Sequence, residues 1–126
     1  MTGLDRYDLR RQIRAAGEEL ARAGVASPQV DARVLAEYLL GCQVLLADGA
    51  GEGFLDAYRA LVARRASREP LQHLTGRMWF RGLELVARPG VFVVRPETEV
   101  VAGAAIEAAR RVAREDGRVP VVVDLC

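Results

Sequence analysis

Apolar positions in the first half of the chain recur at helical spacing. Leu9, Ile13, Ala16 and Leu20 follow one another at steps of four, three and four, which puts them on one face of a helix over residues 5–23. Arg10, Arg11, Arg14, Glu18, Glu19 and Arg22 fall mostly outside that stripe, and Gly24 suits the residue just past a helix end. Ser27-Pro28 supplies an N-cap and a first-turn proline for a second helix reaching Leu40. Val34, Leu35, Tyr38 and Leu39 are its expected inner face, and Gly41 its stop. Phe54, Leu55, Tyr58, Leu61 and Val62 mark a third amphipathic helix. It ends in Ala-Arg-Arg-Ala-Ser-Arg, residues 63–68, whose arginines complement a helix C-terminus and are expected in solvent. Between the second and third helices, residues 42–46 are too short to assign. The glycine-rich stretch 47–53 has no preceding strand and no following Gly-Lys-Ser/Thr, so it is read as a flexible connection and not as a phosphate cradle.

The period changes after residue 69. Glu-Pro-Leu-Gln-His-Leu-Thr-Gly, residues 69–76, brackets about one helical turn between proline and glycine. Residues 77–86 read as extended chain, with Val-Phe-Val-Val (91–94) expected as the hairpin partner across Ala-Arg-Pro-Gly (87–90). A two-stranded hairpin is barely stable alone, so Trp79, Phe80 and Phe92 are expected to pack against a domain. Arg95 precedes proline and is pushed toward extended geometry. Pro96 suits the first position of a new helix, and Glu97 and Glu99 complement its positive end. Val100, Val101, Ala104, Ala105, Ala108 and Val112 give that helix an apolar face, closed by Gly117. Val-Pro-Val-Val-Val-Asp-Leu-Cys, residues 119–126, is apolar on both faces and belongs inside a sheet covered by helices. With no parallel neighbour here, it is expected to be disordered, misdocked or paired with another copy.

The pattern therefore predicts a mainly α chain in three parts. Residues 1–75 form a small helical bundle, 76–95 a β-hairpin connector, and 96–126 the first helix and strand of an incomplete α/β, Rossmann-like domain. About 65 helical residues make a marginal bundle, so one face is expected to pack on a neighbour. Modules of this kind bind or position something more often than they carry chemistry.

Composition narrows the function classes. The chain has 126 residues, 51% of them hydrophobic and 28% charged, and no apolar run long enough to span a bilayer. The N-terminal Met-Thr-Gly-Leu-Asp-Arg lacks the apolar core of a secretory signal, so the cytoplasm is the expected location. All 18 basic residues are arginine, and 17 acids bring the net charge to +1, which does not indicate a nucleic-acid field. Cys42 and Cys126 form no C-x-x-C pair, so neither a disulfide framework nor a metal site is expected. His73, the single histidine, is more readily a structural residue than a catalytic one.

Several motifs at fixed spacing carry a family likeness. Glu-Pro-Leu-Gln-His-Leu-Thr-Gly (69–76), Phe80, Pro-Gly-Val-Phe-Val-Val-Arg-Pro-Glu-Thr-Glu (89–99) and Val-Val-Val-Asp-Leu (121–125) resemble the protein-glutamine N5-methyltransferases that modify peptide chain release factors. Asp-Ala-Arg-Val-Leu-Ala-Glu-Tyr-Leu-Leu-Gly (31–41) is similar to the second helix of that family's N-terminal domain. The resemblance implies a helical substrate-recognition domain, a hairpin connector and a doubly wound domain that uses S-adenosylmethionine. It implies methyl transfer to the side-chain amide nitrogen of the glutamine in the Gly-Gly-Gln motif of a release factor, a protein of translation termination.

The resemblance also implies roles for particular residues. Phe92 matches an aromatic position beside the substrate glutamine, although plain hairpin packing accounts for it equally well. Arg95, Pro96, Glu97, Thr98 and Glu99 match the family motif, with Arg95 a candidate substrate contact and a helix start explaining much of the rest. Where the family has Pro-Arg-Pro, this chain has Val94-Arg95-Pro96. Asp124 matches the acid that opens the first methyltransferase motif, the cofactor-binding one. The family's Asn-Pro-Pro-Tyr motif is absent from this sequence, as are its glycine loop and ribose-binding acid. No catalytic residue is therefore expected in these 126 residues, which read as an N-terminal portion inactive alone and not expected to bind S-adenosylmethionine. Two alternatives stand beside this reading: a release-factor-binding module without catalysis, and a related amino-methyltransferase acting on nucleic acid. The near-neutral charge argues against the second.

Overall fold

A computed structural model describes residues 3–125, so Cys126 lies outside the described residues. Helix α1 (Arg6–Arg22) starts where the Asp5 carboxylate accepts the Asp8 amide at 2.8 Å. Helix α2 (Pro28–Leu40) starts on proline, but the Ser27 side chain makes no cap bond, contrary to expectation; the Ser27 carbonyl takes the Asp31 amide instead. Gly41 ends α2 at φ 71°, a left-handed conformation that glycine adopts without strain.

The two helices approach closely through small residues. A Cβ on Gly17 would already touch Gln29 and Ala32 of α2, and Ala16, Ala32 and Ala36 are buried at the same seam. The inner face of α2 is thus Asp31, Ala32, Leu35 and Ala36. Tyr38, expected inside, is 43% exposed, because the α1 contact turns the helix slightly away from the stripe read in sequence.

A single 3-10 turn (Val44–Leu46) leads to β2 (Gly49–Ala50), which pairs antiparallel with β1 (Leu4–Asp5). The glycine-rich connection is thereby stitched to the N-terminus, where a free flexible linker had been expected. A Cβ on Gly49 would run into the Leu4 carbonyl oxygen, so the glycine there serves strand pairing. Helix α3 (Phe54–Ala66) then completes the core. Phe54 and Tyr58 stack at 5.3 Å between centroids, and the Tyr58 hydroxyl donates to the Ala32 carbonyl at 2.8 Å. Leu9, Leu20, Leu35 and Tyr58 are the large side chains at the centre.

The arginines at the end of α3 are not uniformly solvated. Arg65 reaches back 34 residues to Asp31 at 2.8 Å, with side-chain exposures of 17% and 10%. It also donates to the Glu69 carbonyl, while Arg68, at φ 78°, donates to the Gly24 carbonyl. The half-buried Arg65 guanidinium is thus satisfied by a carboxylate and a carbonyl, while Arg68 makes its bond at the exposed surface. The short helix α4 (Leu71–Thr75) follows, closed by Gly76 at φ 76°.

The hairpin differs from expectation. Strand β3 (Arg77–Phe80) pairs with β4 (Leu83–Val86), Arg77 opposite Val86 and Phe80 opposite Leu83, across the two-residue turn Arg81-Gly82. Residues 91–94 form no strand. Positive φ at both turn residues (48° and 78°) gives the tight connection whose twist matches a hairpin, and it outcompetes the longer Ala-Arg-Pro-Gly loop. Met78 is the buried member of the pair, whereas Trp79 is 59% and Phe92 77% exposed.

Helix α5 (Pro96–Glu115) begins after Arg95 in extended geometry and contains no buried residue. Its apolar positions Val100 and Val101 are 75% and 69% exposed. Residues 119–125 form no strand and all but Pro120 are exposed, so the α/β expectation for this end is not realised as a sheet. The fold shown is mainly helical, with two small antiparallel pairs. Among the described residues, no helix is long and apolar enough to cross a membrane.

Candidate functional site

Residues 87–96 run as a strap from the hairpin to α5. Its start is held by the Ala87 amide on the Gly76 carbonyl at 2.9 Å, and its middle by His73, whose Nε2 lies 3.1 Å from the Val91 carbonyl oxygen. That contact gives the single histidine a structural job. Past it, the Phe92 ring stands in solvent with the Arg95 guanidinium 5.8 Å from its centroid. The Arg95 carbonyl accepts the Thr98 amide at 3.1 Å, which begins the first turn of α5.

A cleft lies on each side of the strap, and Leu71, Val94, Arg95 and Pro96 line both. The first, about 480 Å³, carries Glu37, Arg77, Trp79 and Glu99 on its walls. The second, about 540 Å³, carries Arg65, Arg68, His73 and Phe92. The first offers carboxylates and guanidiniums beside an exposed indole; the second is basic, with one aromatic.

The residues singled out in sequence are thus partly assembled. Phe92, Arg95 and Pro96 line one cleft together; Arg95, Pro96 and Glu99 line the other. Glu97 and Glu99 stand in the first turn of α5, as its charge pattern suggests. Asp124 lies apart, in the exposed segment 121–125. Sequence reasoning missed Glu37, Arg77 and Arg81. Only Arg81 had a local signal, the Xaa-Gly dipeptide between extended runs. No three His, Cys, Asp or Glu side chains among the described residues are grouped to hold a metal ion.

The charges around the α3–α4 corner are tuned by contact. Two hydrogen bonds from Arg64, at 3.0 and 2.7 Å, hold the Glu69 carboxyl below its usual range, and Glu69 in turn raises Arg64. Both side chains are open to water, 53% and 40% exposed, so this pair orders the corner without adding much stability.

Comparison with known proteins bears on this arrangement. The family model of the PrmC N-terminal domain matches residues 12–76, which run from the first turns of α1 to the glycine that closes α4. The chain belongs to that family. It is 50% identical to the release factor glutamine methyltransferase of Streptomyces coelicolor over 91% of its own length and 40% of the relative's. To the protein of the same name in Corynebacterium glutamicum it is 48% identical over 90% of its length and 40% of the relative's. To that of Deinococcus radiodurans it is 44% identical over 82% and 39%. The chain spans about 40% of the length of the curated relatives it matches. The family match covers the bundle from Gln12 onward, while the strap and α5 fall within reach of the longer alignments.

Proposed function

We propose that this chain is the substrate-recognising and connecting part of an S-adenosylmethionine-dependent methyltransferase acting on the glutamine side chain of peptide chain release factors. One observation carries the reading: 50% identity across 91% of the chain to a relative named for that activity. In this reading residues 1–75 recognise the release factor, 76–95 connect, and 96–126 open the catalytic domain.

The chemistry explains what such a part contributes. An amide nitrogen is a weak nucleophile because its lone pair is delocalised, so the enzyme must hold it, exclude water and align it with the methyl donor. When bound, S-adenosylmethionine supplies an electrophilic methyl group. We expect these residues alone not to hold it, since the glycine loop and ribose-binding acid of the resembled family are absent from the sequence. The segment 121–125, with Asp124, lies exposed and forms no strand, and Gly49 of the glycine-rich stretch serves the pairing with the N-terminus. What the chain brings is positioning: an exposed Phe92 backed by Arg95 on a tethered strap, able to cover one face of the glutamine side chain.

Titration of the 126-residue chain with a release factor, followed by fluorescence anisotropy at low salt, tests the reading. Binding is expected, weakened about tenfold by Phe92→Ala. Isothermal calorimetry with S-adenosylmethionine alone is expected to give no heat of binding. Absence of release-factor binding, or binding untouched by Phe92→Ala, would overturn the recognition role; cofactor binding would overturn the division of labour.

A further inference from the structure

Arg81 occupies a backbone conformation that arginine rarely adopts. At φ 48° it sits in the first position of a two-residue hairpin turn, where Asn, Asp or Gly avoids the strain. A strained position that keeps a bulky side chain calls for a use of that side chain. The structure supplies one. The Arg81 amide donates to Glu99 Oε1 at 3.0 Å, and the Arg81 guanidinium donates to the Glu99 backbone carbonyl at 3.3 Å. Each residue thus offers its backbone to the other's side chain, across 18 positions of sequence.

The helix is shaped to receive this contact. Gly103 stands one turn beyond Glu99, on the same face of α5. A Cβ there would come within 2.9 Å of the Arg81 guanidinium nitrogen. Glycine inside a helix weakens it relative to alanine; here it lets the guanidinium end lie close against α5, where a Cβ would make that flexible end move aside. Since α5 buries no residue of its own, little else in the described chain fixes its direction.

We propose that Arg81, Glu99 and Gly103 form a latch that sets the orientation of α5 against the connector hairpin. Glu99 is accordingly a positioning residue: its Oε1 is engaged by the hairpin tip, while the residue also lines the first cleft. For catalysis the inference rests on the proposed function, because it places the first helix of the methyltransferase domain relative to the bundle that recognises the substrate. The latch as a structural device stands without that reading.

The experiment uses the 126-residue chain with Cys42 and Cys126 replaced by serine and spin labels at positions 59 and 111, both exposed in the structure. Double electron–electron resonance is expected to give one narrow distance distribution. Glu99→Ala and Gly103→Leu should each broaden it at least twofold. Glu99→Gln should keep it narrow, because the amide oxygen still accepts the Arg81 N–H. Amide exchange at Arg81 should quicken about tenfold in Glu99→Ala and little in Glu99→Gln, the factor one charge-assisted hydrogen bond supports. An unchanged distribution and unchanged exchange in Glu99→Ala would overturn the latch, as would equal loss in Glu99→Gln. Neither release factor nor cofactor enters the measurement, so its failure is separable from failure of the proposed function.

Discussion

Arg65 and Asp31 meet in a partly buried pair, 17% and 10% exposed, that ties the end of α3 to the first turn of α2. Removing one member leaves a carboxylate short of water and without its partner, which is the costly half of burying an ion pair. Arg65→Met is expected to lower stability by about 3 kcal/mol in urea melts, and adding Asp31→Leu should recover most of that loss. Tyr58 makes a different case. Burial first, and the charge of Glu19 second, push its phenol well above the ordinary value of 10.0. A raised folded value means that the stabilisation is complete below the unfolded pKa and is lost as pH rises past it. Thermal melts should therefore show the midpoint falling once the pH exceeds about 10, and Tyr58→Phe should flatten that decline while costing about 1 kcal/mol at neutral pH. An unchanged alkaline slope in the phenylalanine variant would remove Tyr58 as its source.

Elements whose signal is local were legible in the sequence. Pro28 at the start of α2, Gly41 after it and Pro96 at the start of α5 act within one helical turn of where they stand. The hairpin was legible only as extended chain. Two turn signals competed, Arg81-Gly82 and the Pro-Gly of residues 87–90, and the shorter loop prevailed because positive φ at both positions closes the strands with the right twist. That choice moved residues 91–94 out of the sheet and turned Phe92 to solvent, while Met78 took the buried place expected of the aromatics. Tyr38 was misplaced for a related reason. A helical stripe read from apolarity ignores the small residues Ala32 and Ala36, which decide how closely α1 can approach.

Across the molecule, one core is complete and one apolar surface is not. The side chains of α1, α2, α3 and α4 form a single buried cluster, whereas α5 and residues 119–125 contribute nothing to it. Deleting residues 96–126 should therefore leave the urea midpoint of the bundle unchanged. A lowered midpoint would mean that α5 supports the core through contacts weaker than burial.

The sequence by itself determined the helices, the change of period at residue 69 and the family likeness, since capping, periodicity and motif spacing act between near neighbours in the chain. Of the candidate site it determined Phe92 and the Arg95–Glu99 run, but not what faces them. Only the tertiary structure decided that Arg65 turns inward to Asp31, that His73 tethers the strap, and that the hairpin tip engages Glu99. Those partners lie 34, 18 and 18 positions apart, and nothing local couples residues at such distances until the chain has packed.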